Sequence, residues 1–232
     1  VRTLKENDVP HRHPVEVVVF PEEEGSNFGA TTTGSKFFVG RNRTADMQKL
    51  KTADGVSMLD TVRAFGLSPD LIEKQVLKAG DVKVMLEFHI EQSVVLESEN
   101  TSIGIVEAIA GVKAFEIVFE GVSNHAGATP MNLRRDAMLA TAQVVAAVEK
   151  FAKESPYPHT VGTVGRLVCE PNVGNIIPGK VTFSLDARDV CDEGMAYMAD
   201  AVAKEVEAAA KARGLQYSMR LVGESRAITL QR

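Results

Sequence analysis

Ala137-Met138-Leu139-Ala140-Thr141-Ala142-Gln143-Val144-Val145-Ala146-Ala147-Val148 sets Ala137, Ala140, Thr141, Val144, Val145 and Val148 on one side of a helix. The surrounding pattern extends this helix over Arg134 to Lys153. A second helix, Glu193 to Arg213, places Met195, Met198, Val202 and Val206 on one face in the same way. Strand patterns lie around the two, at Ala114 to Glu120, Thr160 to Cys169, Lys180 to Asp189 and Gln216 to Val222. The order is βαββαβ. It predicts a ferredoxin-like α+β domain in which two helices cover one face of a four-stranded antiparallel sheet. The other sheet face must meet something else.

Upstream the character of the chain differs. Asp8-Val9-Pro10 breaks it, Val15 to Phe20 is a β-branched run suited to a buried strand, and Val82 to Phe88 is strand-like again. Helical patterns occupy Thr33 to Phe38, Thr44 to Leu50 and Ser57 to Phe65, and Gly66-Leu67-Ser68-Pro69-Asp70 ends one helix and caps the next. Gly104 to Gly111 makes a short final strand. Val1 to Lys5 reads as the last turns of a helix with no N-cap and no Met before it, so the start of a domain is expected to be missing. The resulting α/β organisation is a partial domain over 1–111, an inserted domain over 112–223, and a return toward the first domain over 224–232.

Composition narrows the function classes. Of 232 residues, 44% are hydrophobic and 25% charged, the balance of a soluble globular protein with a sizeable core. A formal net charge of -5 argues against nucleic acid as a main partner, since phosphate binding needs a basic face. No apolar run approaches the roughly 18 to 20 residues of a membrane span, and the opening residues lack the apolar stretch of a signal peptide. Cys169 and Cys191 have neither the number nor the spacing of a disulfide framework. They read as packing residues of a protein in a reducing cytoplasm.

Three distant stretches are polar where a core would be apolar: Glu22-Glu23-Glu24-Gly25-Ser26, Glu87-Phe88-His89-Ile90-Glu91-Gln92 and Ser123-Asn124-His125-Ala126-Gly127-Ala128-Thr129-Pro130. The first two follow strand patterns, and carboxyl ends of strands are where α/β sheets place their chemistry. Adjacent glutamates can divide labour, Glu24 binding a cation while Glu23 takes a proton from bound water. A solvated acidic loop is the plainer alternative. His89 is a candidate metal ligand, against the alternative of a hydrogen-bonded structural imidazole. Gln92 offers an amide to a substrate carboxylate or ureido group. His125, among small neighbours, could donate to a developing oxyanion, or the segment could simply be a loop leading to the helix cap at Arg134-Arg135-Asp136-Ala137. Asn175 adds a neutral donor and Arg188 a fork suited to a carboxylate. Because no His-x-x-x-His or Cys-x-x-Cys spacing occurs, a metal site would have to be assembled from distant segments.

These motifs, with Ile103-Gly104-Ile105-Val106, Pro171-Asn172, Pro178-Gly179 and Asp186-Ala187-Arg188, closely resemble the N-carbamoyl-L-amino acid hydrolase and allantoate amidohydrolase branch of the M20 metallopeptidase-like family. The resemblance runs through nearly the whole chain, in the family's order. It implies a zinc-peptidase-like catalytic domain with a two-metal centre, zinc or manganese, and an inserted lid domain that also forms a homodimer. Glu23 corresponds to the general base, Glu24 and His89 to ligands of different metals, and Gln92, His125, Asn175 and Arg188 to substrate contacts. The implied reaction is hydrolysis of a ureido or carbamoyl C–N bond in a small substrate: metal-activated water attacks, Glu23 shuttles the proton, His125 steadies the oxyanion, and ammonia and carbon dioxide leave. The lid's His and its Asn/Arg pair would not all serve one active site.

Departures accompany the resemblance. The family's first metal ligands, a His and a bridging Asp, would lie before Val1 and its last His after Arg232, so this chain alone is expected to bind metal poorly and hydrolyse little. Ser93 stands where the family has Gly, and Pro21 alters the approach to the glutamates. Two other functions stay open at this level: a non-catalytic dimerisation or ligand-binding module, and an aminoacylase or peptidase of the wider family. The Gln92, Asn175 and Arg188 set speaks against the latter.

Overall fold

Val181, Phe183, Leu185 and Ala187 are buried while Thr182, Ser184, Asp186 and Arg188 between them are not, the period of two expected of a strand with one covered face. The computed structural model describes residues 2–25 and 27–230. Ser26 of the acidic motif, Val1 of the expected opening helix, and Gln231 and Arg232 of the expected return segment lie outside the described residues. Contacts divide the chain into two units, Val1–Ile90 and Glu91–Arg232.

The first unit holds four short helices, α1 (Arg2–Glu6), α2 (Thr33–Phe38), α3 (Thr44–Met47) and α4 (Met58–Ala64), and a 3-10 turn at Pro69–Lys74. Phe37, Met47 and Met58 form its small buried core, with Phe28, Leu50, Leu59, Val62 and Ile72 packed around them. Ser57 caps α4 by accepting from the Asp60 amide. The strands expected at Val15 to Phe20 and Val82 to Phe88 are not formed. Neither segment carries a ladder, the second bends at Lys83, and Val19 and Phe88 are 84% and 100% exposed. The physical reason is that strand propensity is a fit to a paired, half-covered surface, and no partner strand among the described residues lies beside either run. Only Ala108–Ile109 of the strand expected at Gly104 to Gly111 is realised.

In the second unit α5 (Val95–Ser98) and β1 (Ala108–Ile109) precede β2 (Gly111–Glu120), α6 (Ala137–Lys153), β3 (Val161–Thr163), β4 (Leu167–Glu170), β5 (Lys180–Asp189), α7 (Asp192–Arg213), β6 (Gln216–Ser225) and β7 (Ile228–Thr229). A mixed α/β fold results. The main sheet has the order β3-β5-β2-β6 with β4 also on β5, and all its pairs are antiparallel. β1 and β7 make a separate two-stranded ribbon. The single strand expected over Thr160 to Cys169 is divided: Thr163 pairs with Asp186 and Leu167 with Phe183, so three residues on one side face two on the other. The surplus residue is a bulge, stitched by Arg166 and Ser184, whose amides donate to the Ser184 hydroxyl (3.1 Å) and the Arg166 carbonyl (3.0 Å) respectively.

Both long helices lie on one face. Ile117, Phe119, Val181, Phe183 and Leu185 meet Val144 and Val148 of α6 and Met198, Val202 and Val206 of α7, with the Phe119 and Phe183 rings stacked at 5.9 Å. Gly162 permits this approach, because a Cβ there would fall 2.8 Å from Val148. Asp136 caps α6 by accepting from the amides of Met138 and Leu139, and Gly214, at φ 62°, ends α7.

A buried carboxylate organises the junction between β5 and α7. Asp189 accepts from the Thr160 hydroxyl (2.6 Å), the Cys191 amide (3.1 Å) and the Cys191 thiol (3.3 Å). Burial opposes its charge, but these donors outweigh that effect and hold its pKa below the usual carboxylate value. A depressed native pKa contributes stability above the unfolded value of about 3.9, lost as the pH falls through the lower native one. Asp189→Asn should therefore cost about 1–3 kcal/mol at pH 7. Urea midpoints of the two proteins should draw together as the pH is lowered below about 3.9; a gap that stays constant would remove this role.

Candidate active site

The acidic loop is pinned through its backbone. Amides of Thr32, Thr33 and Gly34, at the start of α2, donate to the carbonyls of Glu23 (2.8 Å), Glu22 (3.0 Å) and Pro21 (3.1 Å). Helix-terminal donors that would otherwise be orphaned thus hold the loop, and the Glu23 and Glu24 side chains stay exposed. Gly34 makes the contact possible: a Cβ there would sit 2.6 Å from the Pro21 carbonyl oxygen. His89 is exposed, and its Nδ1 lies 2.5 Å from the Ile90 carbonyl. A carbonyl can only accept, so Nδ1 carries the proton and in the neutral ring Nε2 keeps its lone pair, the state a metal-ligating imidazole needs. Among the described residues, however, no group of three or more His, Cys, Asp or Glu side chains is gathered to hold a metal ion. Glu24 and His89 do not by themselves amount to a dinuclear centre.

His125 is placed by an extension of the central ladder. Beyond the Glu120–Lys180 pair, Gly121 N donates to Gly179 O (2.7 Å), Ile177 N to Asn124 O (2.8 Å) and Ala126 N to Asn175 O (2.9 Å). The His125 and Asn175 loops are therefore neighbours. Amides of Gly127 and Ala128 both point at His125 Nδ1, each at 3.1 Å. Amides can only donate, so Nδ1 accepts and Nε2–H is the ring's outward donor. That is the form an oxyanion contact requires.

Arg188 lies elsewhere. It sits on the helix-free sheet face, where its Nε and Nη2 donate to the two Asp186 carboxylate oxygens at 2.7 and 3.1 Å. This fork-to-fork pair raises the guanidinium's pKa, chiefly through the hydrogen bonds from Arg188 to Asp186. A groove of about 700 Å³, lined by Val161, Thr163, Arg166, Ser184, Asp186 and Arg188 among others, opens beside it. Eight residue steps along the strand separate Arg188 from Lys180, about 26 Å at 3.2–3.4 Å per residue, and the His125 turn lies past Lys180. The structure brings Asn175 to His125 and keeps Arg188 at the sheet's other end. Gln92, at φ 55°, is an exposed left-handed residue near the start of the second unit.

Sequence reasoning missed Asp186 as Arg188's partner and Arg134 as a brace of the His125 turn. Opposite charges two apart on one strand were the available signal for the first. The second left no signal beyond a basic residue ahead of a helix cap.

Residues 1–227 match the peptidase family M20/M25/M40. The N-carbamoyl-L-amino-acid amidohydrolase of Pseudomonas sp. (strain NS671) is 38% identical over 94% of this chain and 53% of its own length. Allantoate amidohydrolase of Escherichia coli (strain K12) is 40% identical over 75% of the chain and 42% of its own length. Among solved structures, a hydantoinase/carbamoylase family amidase from Burkholderia multivorans superposes with a TM-score of 0.87 at 32% identity, covering 98% of this chain and 54% of the other. The chain thus spans about half the length of these relatives.

The Arg188–Asp186 pair is solvent-accessible, and exposed pairs contribute little to folding. Asp186→Asn should change the urea midpoint by no more than the equivalent of about 1 kcal/mol. It should also abolish the protected Arg188 Nε–H signal in nuclear magnetic resonance; a retained signal would show that the pair does not order the guanidinium.

Proposed function

Because this chain belongs to peptidase family M20/M25/M40, we propose that it carries the substrate-handling half of an amidohydrolase acting on the ureido or carbamoyl C–N bond of a small carboxylate, such as an N-carbamoyl-L-amino acid or allantoate. The observation that carries this reading is His125, whose Nδ1 is taken by two amides so that Nε2–H faces outward from an exposed turn. The names of the similar proteins support the substrate class.

In this reading water attacks the carbamoyl carbon and the Glu23 carboxylate takes its proton. His125 Nε2–H donates to the carbonyl oxygen as it becomes an oxyanion. The C–N bond to the terminal nitrogen then breaks, Glu23 passes the proton to that nitrogen, and ammonia leaves. The remaining carbamate loses carbon dioxide. Arg188 holds the substrate carboxylate, and Gln92 and Asn175 bind the ureido amide. Enzymes of the family are generally metal-dependent. Two divalent ions, zinc or manganese, would supply Lewis-acid polarisation, with Glu24 and His89 as ligands. Both cysteines are free thiols, which suits a reducing cytoplasm. Among the described residues no helix is long and apolar enough to cross a membrane.

The distance from Arg188 to the His125 turn exceeds the span of any small carbamoyl acid. This separation supports a reading in which the two come from different copies, with the second unit as a ferredoxin-like lid that also dimerises. The outer edge of β6, ten residues long and unpaired in the described sheet, is the available seam.

Four measurements test the reading. Sedimentation should give about twice 25.0 kDa. In an intact version of the enzyme, Glu23→Gln should abolish ammonia release while metal stays bound. Arg188→Ala should raise KM roughly tenfold to a hundredfold for carboxylate substrates, the scale of a lost charged hydrogen bond. A metal-free dimer that releases no ammonia would make the chain a binding module instead.

A further inference from the structure

We propose that Arg134 is the positioning residue for His125, acting through the Ala126–Gly127 peptide; this rests on the reading of His125 as the oxyanion donor. Nothing apolar holds the turn in place. His125, Gly127 and Ala128 are exposed, and no side chain between Ser123 and Pro130 is buried. The turn's shape is therefore set by hydrogen bonds. Thr129 contributes two, its hydroxyl (2.8 Å) and its amide (3.2 Å) both donating to the His125 carbonyl. Arg134 adds two more, Nε donating to Thr129 O at 3.0 Å and Nη2 to Ala126 O at 2.5 Å.

The Ala126 carbonyl and the Gly127 amide belong to one peptide plane. That plane is rigid and trans, so fixing its oxygen on one side aims its N–H on the other. Arg134 grips the oxygen, and the N–H points to His125 Nδ1. The guanidinium also polarises the carbonyl, which strengthens the amide as a donor and reinforces the Nε2–H form of the ring. Arg134 has no ion pair among the described residues, and its side-chain hydrogen bonds there both go to carbonyls of this turn. A charge spent on two carbonyls of an exposed turn has little to do for the core. Its consequence is the state and direction of one imidazole.

The test uses two readouts. In the 232-residue chain, ring nitrogen shifts of His125 should show Nδ1 as acceptor and Nε2 as protonated. Arg134→Met should average the two nitrogens and speed Gly127 amide exchange by about tenfold to a hundredfold, with amides of the β2–β5 ladder unchanged as the control for folding. Arg134→Lys keeps the charge but cannot bridge both carbonyls, and should recover the ring shifts only in part. In an intact version of the enzyme Arg134→Met should lower kcat by about tenfold to a hundredfold with little change in KM, and should have no further effect on a His125→Ala background. Unchanged ring shifts, or an undiminished kcat effect in the absence of His125, would overturn the proposal. If His125→Ala alone leaves ammonia release intact, the hydrolase reading fails, whereas the ring spectrum still decides whether Arg134 sets the imidazole.

Discussion

The antiparallel pairing of β2 with β5 is the constraint on which the second unit depends. Its register runs unbroken from Gly111–Asp189 to Glu120–Lys180. Ile117 and Phe119 of β2 and Val181, Phe183, Leu185 and Ala187 of β5 enter the layer under the helices, and even-numbered positions carry Glu116, Asp186 and Arg188 toward solvent. Past the last pair, the same two chains keep exchanging hydrogen bonds as far as Ala126 and Asn175. A turn that would otherwise depend on its own few bonds is an outgrowth of the sheet, and the groups it presents inherit the sheet's order.

The helix-free face shows how charge is arranged when no core is available. Glu116 lies between Arg220 at 3.0 Å and Arg166 at 3.1 Å, and these two hydrogen bonds, Arg220 first, hold its carboxyl below the usual range. With the Asp186–Arg188 pair beside it, three guanidiniums face two carboxylates. One positive charge is left over. Such exposed pairs contribute little to stability, but they order long side chains across the sheet.

Legibility in the sequence followed how local each signal was. The two long helices were readable because Ala137 to Val148 and Met195 to Val206 repeat every three or four residues, a property of the segment alone. β5 was readable to its end residues for the same reason. The break between β3 and β4 was not, because a bulge depends on what stands opposite, here Ser184 and Leu185. Val15 to Phe20 and Val82 to Phe88 have strand composition, yet a ladder needs partners that composition does not report. Site residues behaved similarly. The types and order of His125, Asn175 and Arg188 pointed to carbamoyl chemistry, but their spacing gave no hint that most of a ten-residue strand separates the last two. Only the fold shows that Asn175 lies beside His125 while Arg188 lies at the far end of the sheet.

The strict parity of β5 makes it intolerant of insertions and deletions. Side chains on a strand change faces at every residue, so losing one amino acid between Lys180 and Ser184 would invert everything that follows. Arg188 and Asp186 would turn under the helices among Phe183, Met198 and Val202, and Ala187 would be left facing water. A buried guanidinium without solvent is far costlier than any methylene change in the same layer. Length variation among relatives of this chain should therefore collect in the turns flanking β5, where Asn172 and Gly174 already interrupt regular structure, and spare the strand itself.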